Sequence, residues 1–195
     1  MSALVLWAAV AATALAAAGG AGAHEFTAAI LATGEDRETQ LAEAVRGFLL
    51  AAGERDGHAA ETSDGHLGGV DVQILPLPQE AAGQVEGLIG TPRTPPGAVL
   101  VIGPGAERAR ALADIGTESI GLAPGKLPRG WAEETAPDSF AVRYRSAYGA
   151  APTKAAAEGY NAARRLDLAI RPLDGLEPRT AVKAALNASG NGIDW

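Results

Sequence analysis

Four short apolar runs alternate with segments of helical periodicity along the first two thirds of the chain. The runs cover residues 26–32, 70–77, 99–102 and 117–122. Continuous apolar runs of this length are typical of strands that are buried on both faces of a parallel sheet. The run at 70–77 instead alternates apolar and polar residues, which predicts an edge strand with one less covered face.

Helical spacing separates these runs and then fills the rest of the chain. Two segments interrupt this alternation of strands and helices. Residues 53–69 are polar and glycine-rich, which predicts a surface loop, and residues 123–137 have no regular pattern. Alternating strands and helices indicate right-handed βαβ units, so we expect a three-layer, doubly wound α/β domain with a mostly parallel sheet. The helices are expected from Glu35 to near Gly53, over 79–89, after Gly105, and beyond Asp138, Thr153 and Pro178.

The loops after the first and third strands are the expected functional site. If the strands are ordered second, first, third, fourth, the order reverses between the first and third, and ligands bind at such reversals in open α/β sheets. Free N–H groups at the starts of two helices would face this crevice. The predicted ligand-binding residues, all in these two loops, are Thr33, Gly34, Glu35, Gly103, Gly105, Ala106 and Glu107.

Charge narrows the class of ligand. The chain of 195 residues has a formal net charge of −7, and nucleic acid is not an expected partner because binding it requires clustered Lys and Arg. Glu35, Asp36 and Glu107 at the helix starts repel a phosphate or carboxylate, which also disfavours a flavin mononucleotide. We therefore expect a small polar solute that is neutral, zwitterionic or cationic. In the alternative interpretation these acids only complement the helix dipoles.

The amino-terminal residues indicate export. Residues 1–23 are uncharged and rich in alanine, and they end in the small residues Ala21-Gly22-Ala23, which is typical of a signal peptide, although no basic residue precedes them. We expect cleavage after Ala23, a periplasmic location and a single domain over 24–195. The alternative is an uncleaved membrane anchor, because the run is about long enough to span a bilayer.

Residue usage limits the chemistry and the core. The chain has no cysteine, so disulfides and thiolate chemistry are excluded. No nucleophile elbow, Walker loop or His-Glu-x-x-His helix is present, so we expect neither an enzyme nor a cofactor. Only 5% of the residues are aromatic, so the core is expected to consist largely of small and aliphatic side chains that let helices lie close to the sheet.

Three histidines carry a metal-binding alternative. His58 and His66 lie in a loop with several carboxylates, and His24 would become the first residue after cleavage. Imidazole and carboxylate ligands together suit zinc or copper. Their spacing matches no established motif, and solvated loop residues explain the pattern equally well.

Four segments, in two blocks that cover most of residues 24–195, carry a family resemblance. They are GEDRETQLAEAVRGFLLAAGE at 34–54, GGVDVQIL at 68–75, AVLVIGPGAERARALA at 98–113 and FAVRYRSAYGAAPTKAAAEGYNAARRLDLAI at 140–170. Together they resemble the type I periplasmic binding proteins that serve ABC importers of branched-chain amino acids and amides. The most specific part is the late segment, with Phe140, Tyr144, Tyr148-Gly149, Pro152 and then Tyr160-Asn161-Ala162, where members of that family commonly have Tyr-Asp-Ala. The resemblance implies non-enzymatic ligand binding linked to transport, with an ABC permease or another periplasmic or membrane protein as partner.

This chain departs from that family in two ways. Family members have two lobes and are roughly twice as long, so the resemblance implies a single lobe here. One lobe cannot close around a ligand, so a partner or a second copy of the chain would have to complete the site. The family usually has hydroxyl residues after the third strand, where this chain has Gly105, Ala106 and Glu107. A further alternative is therefore an interaction protein that kept the fold and lost the pocket.

Overall fold

The computed structural model describes residues 25–56, 62–81, 84, 96–173 and 175–195. These residues form an α/β protein with a mixed, mostly parallel sheet flanked by helices. The strands are β1 (Glu25–Ala32), β2 (His66–Leu67), β3 (Val70–Leu77), β4 (Ala98–Ile102) and β5 (Ile120–Leu122). The helices are α1 (Arg37–Gly53), α2 (Gly105–Asp114), α3 (Phe140–Tyr148), α4 (Lys154–Ile170) and α5 (Arg179–Ala188), with a 3-10 turn at Ser189–Asn191.

The sheet order is β2-β3-β1-β4-β5. β1 pairs in parallel with both β3 and β4, and β4 pairs in parallel with β5. The parallel strands therefore follow the predicted order of second, first, third and fourth apolar run, with the reversal between β1 and β4. Every residue of β4 is buried, as expected of an apolar run that lies inside a parallel sheet.

The prediction that 53–69 is only a surface loop is wrong. Its last part contains β2, which pairs antiparallel with β3 and makes the sheet mixed. The prediction that the strand at 70–77 lies at the edge is wrong for the same reason, because β2 occupies that edge and β3 lies between β2 and β1. Leu67 is fully buried, and the turn to β3 uses Gly68 and Gly69 at positive φ, a backbone conformation that glycine adopts without strain. A strand of two residues is too short to show a periodic pattern, so the polar and glycine-rich composition around it predicted only a loop.

Buried apolar side chains cover both faces of the sheet. In β1, Ala28 and Ile30 face a large cluster that is completed by α1, α3, α4 and α5. The alternate residues Ala29 and Leu31 face a smaller cluster that includes Ala111 of α2. This alternation follows from the two-residue period of a strand, and it places helices against both faces.

Helix α4 is buried almost all round rather than along one face. Buried residues lie on all its sides because the helix lies between α1 and α5 and packs against the sheet. Gly47 of α1 faces the backbone of Ala156, and Gly159 of α4 faces the backbone of Ala44. The two helix backbones therefore touch at two reciprocal glycine positions.

The remaining boundaries follow the predicted elements with two differences. The strand predicted over 117–122 begins at Ile120 rather than Thr117. The structure describes only a 3-10 turn at 79–81 from the helix predicted over 79–89, since most of the other positions lie outside the described residues. Residues 1–24, with the predicted signal peptide, also lie outside them. None of the described helices combines the length and apolar character that crossing a membrane requires.

The irregular segment 123–137 contains no helix or strand, as predicted. Buried polar side chains of α4 hold its beginning in place. Arg165 donates to the carbonyl of Ala123 at 2.6 Å, and Asn161 donates to the carbonyl of Pro124 at 2.8 Å. The backbone groups of this segment thus find partners without forming regular structure, as buried backbone must.

Candidate functional site

A cavity of about 680 Å³ lies at the carboxyl ends of β1 and β4. Three segments border it: the first turns of α1, the loop from β4 into α2, and the start of α4. Its lining residues are Asp36, Thr39, Gln40, Glu43, Gly103, Pro104, Gly105, Arg108, Thr153, Lys154, Ala155 and Glu158. The position agrees with the reversal of strand order, where open α/β sheets bind ligands.

The amino ends of three helices meet at this cavity. Asp36, Pro104 and Thr153 are the N-cap residues of α1, α2 and α4. The Thr153 hydroxyl accepts from the backbone N–H of Ala156 at 3.1 Å, which satisfies one donor of the first turn. Because most of the other first-turn N–H groups have no partner within their helix, the three ends give this region a partial positive charge.

Side chains of both signs line the cavity. Asp36, Glu43 and Glu158 supply carboxylates, while Arg108 and Lys154 supply cations. The Arg108 guanidinium also donates to the carbonyl of Gly103 at 3.1 Å, which fixes the loop after β4. A lining of this kind matches a polar ligand that carries both donors and acceptors.

Glu43 is the most firmly held of these carboxylates. It accepts from Arg46 at 2.7 Å, from the Tyr144 hydroxyl at 2.8 Å and from the Thr153 hydroxyl at 3.4 Å. Burial and then the hydrogen bond to Glu43 raise the pKa of Tyr144, since both disfavour the phenolate. Glu43 therefore connects α1, α3 and the start of α4 at the wall of the cavity.

The structure separates the predicted ligand-binding residues. Gly103 and Gly105 line the cavity, whereas the loops after β1 and β4 touch each other directly. A Cβ on Gly34 would lie 3.0 Å from the Pro104 ring, and one on Gly103 would overlap the hydroxyl and carbonyl of Thr33. The open space thus lies beside the two loops, toward α4, rather than between them.

The other predicted residues lie around this contact. The Thr33 hydroxyl donates to the carbonyl of Ile102 at 3.0 Å, so it holds β1 to β4. Thr33 and Glu107 line a separate depression of about 520 Å³, and Glu35 lines another of about 310 Å³. Ala106 is exposed at the start of α2. Whether any of these residues binds a ligand stays a prediction.

Sequence reasoning missed most of the polar lining. Arg108 and Lys154 are far apart in the sequence, and only the placement of α4 against α1 brings them to one cavity. Thr153 was recognisable as a helix start. The sequence contains no local signal for the distance between that helix start and the loop after β4.

His66 lies at the opposite end of the sheet from the cavity. Its Nε2 is 2.9 Å from Asp71 and its Nδ1 is 3.2 Å from Asp56. Within the described part of the chain, no group of three or more His, Cys, Asp or Glu side chains is placed to hold a metal ion. His24 and His58 lie outside the described residues, so the metal-binding alternative stays a prediction.

Comparison with known proteins identifies no relative. No family model matches the chain, and neither a curated protein nor a solved structure matches it. The resemblance to type I periplasmic binding proteins therefore remains a prediction from the quoted residues.

Proposed function

We propose that this protein binds a small polar solute without chemical conversion, in the cavity between the amino ends of α1, α2 and α4. The observation that carries the proposal is the position of that 680 Å³ cavity at the reversal of strand order. A volume of several hundred Å³ is in the range that accommodates small molecules.

The charges favour a zwitterionic or cationic solute over a simple anion. Carboxylates from Asp36, Glu43 and Glu158 offer acceptors to an ammonium or hydroxyl group, and outnumber the cations Arg108 and Lys154. Backbone N–H groups at the helix starts offer donors to a carbonyl or carboxylate. A free phosphate would meet the same donors and the cations Arg108 and Lys154, but also three negative side chains, which oppose its binding.

We further propose that the domain is a single, doubly wound, three-layer lobe of the type I periplasmic-binding kind, exported and linked to ABC-type transport. The order of the parallel strands and the Tyr160-Asn161-Ala162 motif support this assignment. Because one lobe cannot enclose a solute by hinge motion, a permease, another partner or a second copy of the chain would complete the site.

A blocking substitution tests the proposed cavity. Gly105 lines the cavity, and a Cβ there meets no heavy atom within 4 Å, so Gly105→Leu adds a side chain at the cavity wall without a clash. Gly53→Leu is the matched control, because Gly53 is equally unobstructed and lies at the other end of α1. Melting temperatures of both variants and the parent protein are measured against a panel of amino acids, amides, amines, sugars and organic acids.

A solute at about 100 times its Kd stabilises a protein by about 2.7 kcal/mol, which raises the melting temperature of a domain of this size by about 5–10 °C. We expect one class of solute to do so in the parent protein and in Gly53→Leu, and to have no effect in Gly105→Leu. An absence of any shift overturns the proposal and supports the interaction-protein alternative. An equal shift in Gly105→Leu places the binding elsewhere and also overturns it.

A further inference from the structure

Residues 193–195 make their polar contact with the rest of the domain through one side chain. The ring of Trp195 packs edge-on against Phe140 and Tyr160, with centroid distances of 5.0 Å and 4.9 Å, which is a favourable arrangement of aromatic rings. Within the described part of the chain, Ile193 and Asp194 make no hydrogen bond and no ion pair. The indole of Trp195 therefore anchors this segment.

Asn161 gives this contact its chemical selectivity. The residue is 0% exposed, and its Nδ2 donates to the carbonyls of Pro124 and Lys126 at 2.8 Å and 3.3 Å. These two bonds fix the orientation of the amide, so that Oδ1 accepts from Nε1 of Trp195 at 2.5 Å. An indole has one N–H donor and no acceptor, so it matches a fixed buried acceptor that a phenyl ring would leave without a donor.

The walls of this site belong to three helices and not to the segment that fills it. Phe140 begins α3, whereas Tyr160 and Asn161 lie in α4. The two wall rings contact each other, with centroids 4.7 Å apart, and the Tyr160 hydroxyl donates to Glu54 of α1 at 2.7 Å. Helices α1, α3 and α4 thus position the site, and Trp195 enters it from a separate segment.

We propose that Phe140, Tyr160 and Asn161 form a binding site for an indole ring, and that Trp195 occupies it as a latch that opens without unfolding of the domain. Opening breaks one hydrogen bond and two ring contacts, and segments with few contacts open locally at a lower free energy than the core. An indole from outside the chain can then bind in place of Trp195. The inference is independent of the proposed function, because none of these four residues lines the 680 Å³ cavity.

Hydrogen exchange of the parent protein, followed by NMR of the ¹⁵N-labelled chain, tests the opening of the latch. We expect the indole N–H of Trp195 to be protected at least about tenfold less than the amides of β4, whose residues are all buried, because local opening precedes unfolding of the core. Low concentrations of urea should leave this exchange unchanged, since local opening exposes little surface. Equal protection with an equal response to urea would mean that Trp195 leaves only when the domain unfolds, which overturns the latch.

Two probes of nearly the same shape test the selectivity of the site. Trp195→Ala empties the site, and indole or benzofuran, which has an oxygen in place of the N–H, is titrated into the variant by NMR. Indole should bind, with the largest amide changes at residues such as Phe140 and Asn161. Benzofuran should bind about five- to hundredfold more weakly, as expected when a buried acceptor loses its donor. The parent protein should bind indole at least about tenfold more weakly than Trp195→Ala, because Trp195 occupies the site.

Trp131→Ala is the matched control. Trp131 is the other tryptophan among the described residues and packs against the same core cluster, so its removal should leave indole binding at Phe140 and Asn161 as weak as in the parent protein. Equal binding of indole by Trp131→Ala and Trp195→Ala, or equal binding of indole and benzofuran by Trp195→Ala, refutes the assigned site. Loss of cooperative unfolding in Trp195→Ala would show that Trp195 is an integral part of the core, and it would overturn the inference as well.

Discussion

The contact between α1 and α4 leaves no room for a side chain at Gly159. A Cβ at this position would lie 2.8 Å from the carbonyl carbon of Ala44 and 2.9 Å from its Cα. These atoms belong to the backbone of α1, so no side-chain rotation can make room. Gly159→Ala must therefore push the two helices apart at the centre of the larger core cluster, where Ala44 and Ala156 are fully buried.

The size of the effect follows from two opposing terms. Adding a methyl group to a well-packed core costs about 1–3 kcal/mol of stability. Because the neighbouring atoms here belong to the backbone and cannot rotate away, we take the upper value of about 3 kcal/mol. Alanine favours the helix over glycine by about 1 kcal/mol. The net loss is about 2 kcal/mol, which lowers the melting temperature of a domain of this size by about 4–8 °C.

Thermal and urea unfolding followed by far-ultraviolet circular dichroism measure this loss. Gly53→Ala is the control, because Gly53 is a helical glycine of α1 with no heavy atom within 4 Å of its Cβ position. The control should be as stable as the parent protein or more stable, by up to about 1 kcal/mol. If Gly159→Ala is as stable as Gly53→Ala, the described contact between the helices is wrong.

Three further substitutions test other parts of the structure. Thr33→Val removes the hydroxyl that donates to the carbonyl of Ile102 and should lower the free energy of unfolding by about 1 kcal/mol. The affinity for the solute should not change, and a large loss of affinity would show that Thr33 contributes to binding. Arg165→Met removes the guanidinium that donates to the carbonyls of Ala123 and Leu186. It should destabilise the protein by about 2–4 kcal/mol in urea unfolding, and a neutral result would contradict this role of Arg165. Burial raises the pKa of Tyr144, so the unfolded chain loses that proton first and stability should fall as the pH rises above about 10. Tyr144→Phe should flatten this fall in melts at several pH values, and an unchanged slope would contradict the assignment.

The buried strand β4 and the order of the parallel strands were predictable because they rest on strong local signals. A strand that is buried on both faces consists of apolar residues throughout, so the sequence of β4 alone is enough to recognise it. The winding of βαβ units then constrains which strands are neighbours. Both parts of the prediction are confirmed by the pairing of β1 with β3 and β4.

The cavity wall was not predictable in the same way. Lys154 and Glu158 belong to the cavity because of how α4 crosses α1, and that crossing depends on reciprocal contacts at Gly47 and Gly159. Helix-to-helix distances of this kind arise from pairs of residues far apart in the sequence. β2 was missed for the same reason, because its two residues are strand only through pairing with β3.

A solution NMR titration of the ¹⁵N-labelled protein tests the location of solute binding most directly. The solute is the one that raises the melting temperature of the parent protein, and the readout is the change in each backbone amide signal. The account predicts that the largest changes fall at the amino ends of α1, α2 and α4, at residues such as Thr39, Gly105 and Ala155. Changes concentrated instead around His66, at the opposite end of the sheet, would contradict it.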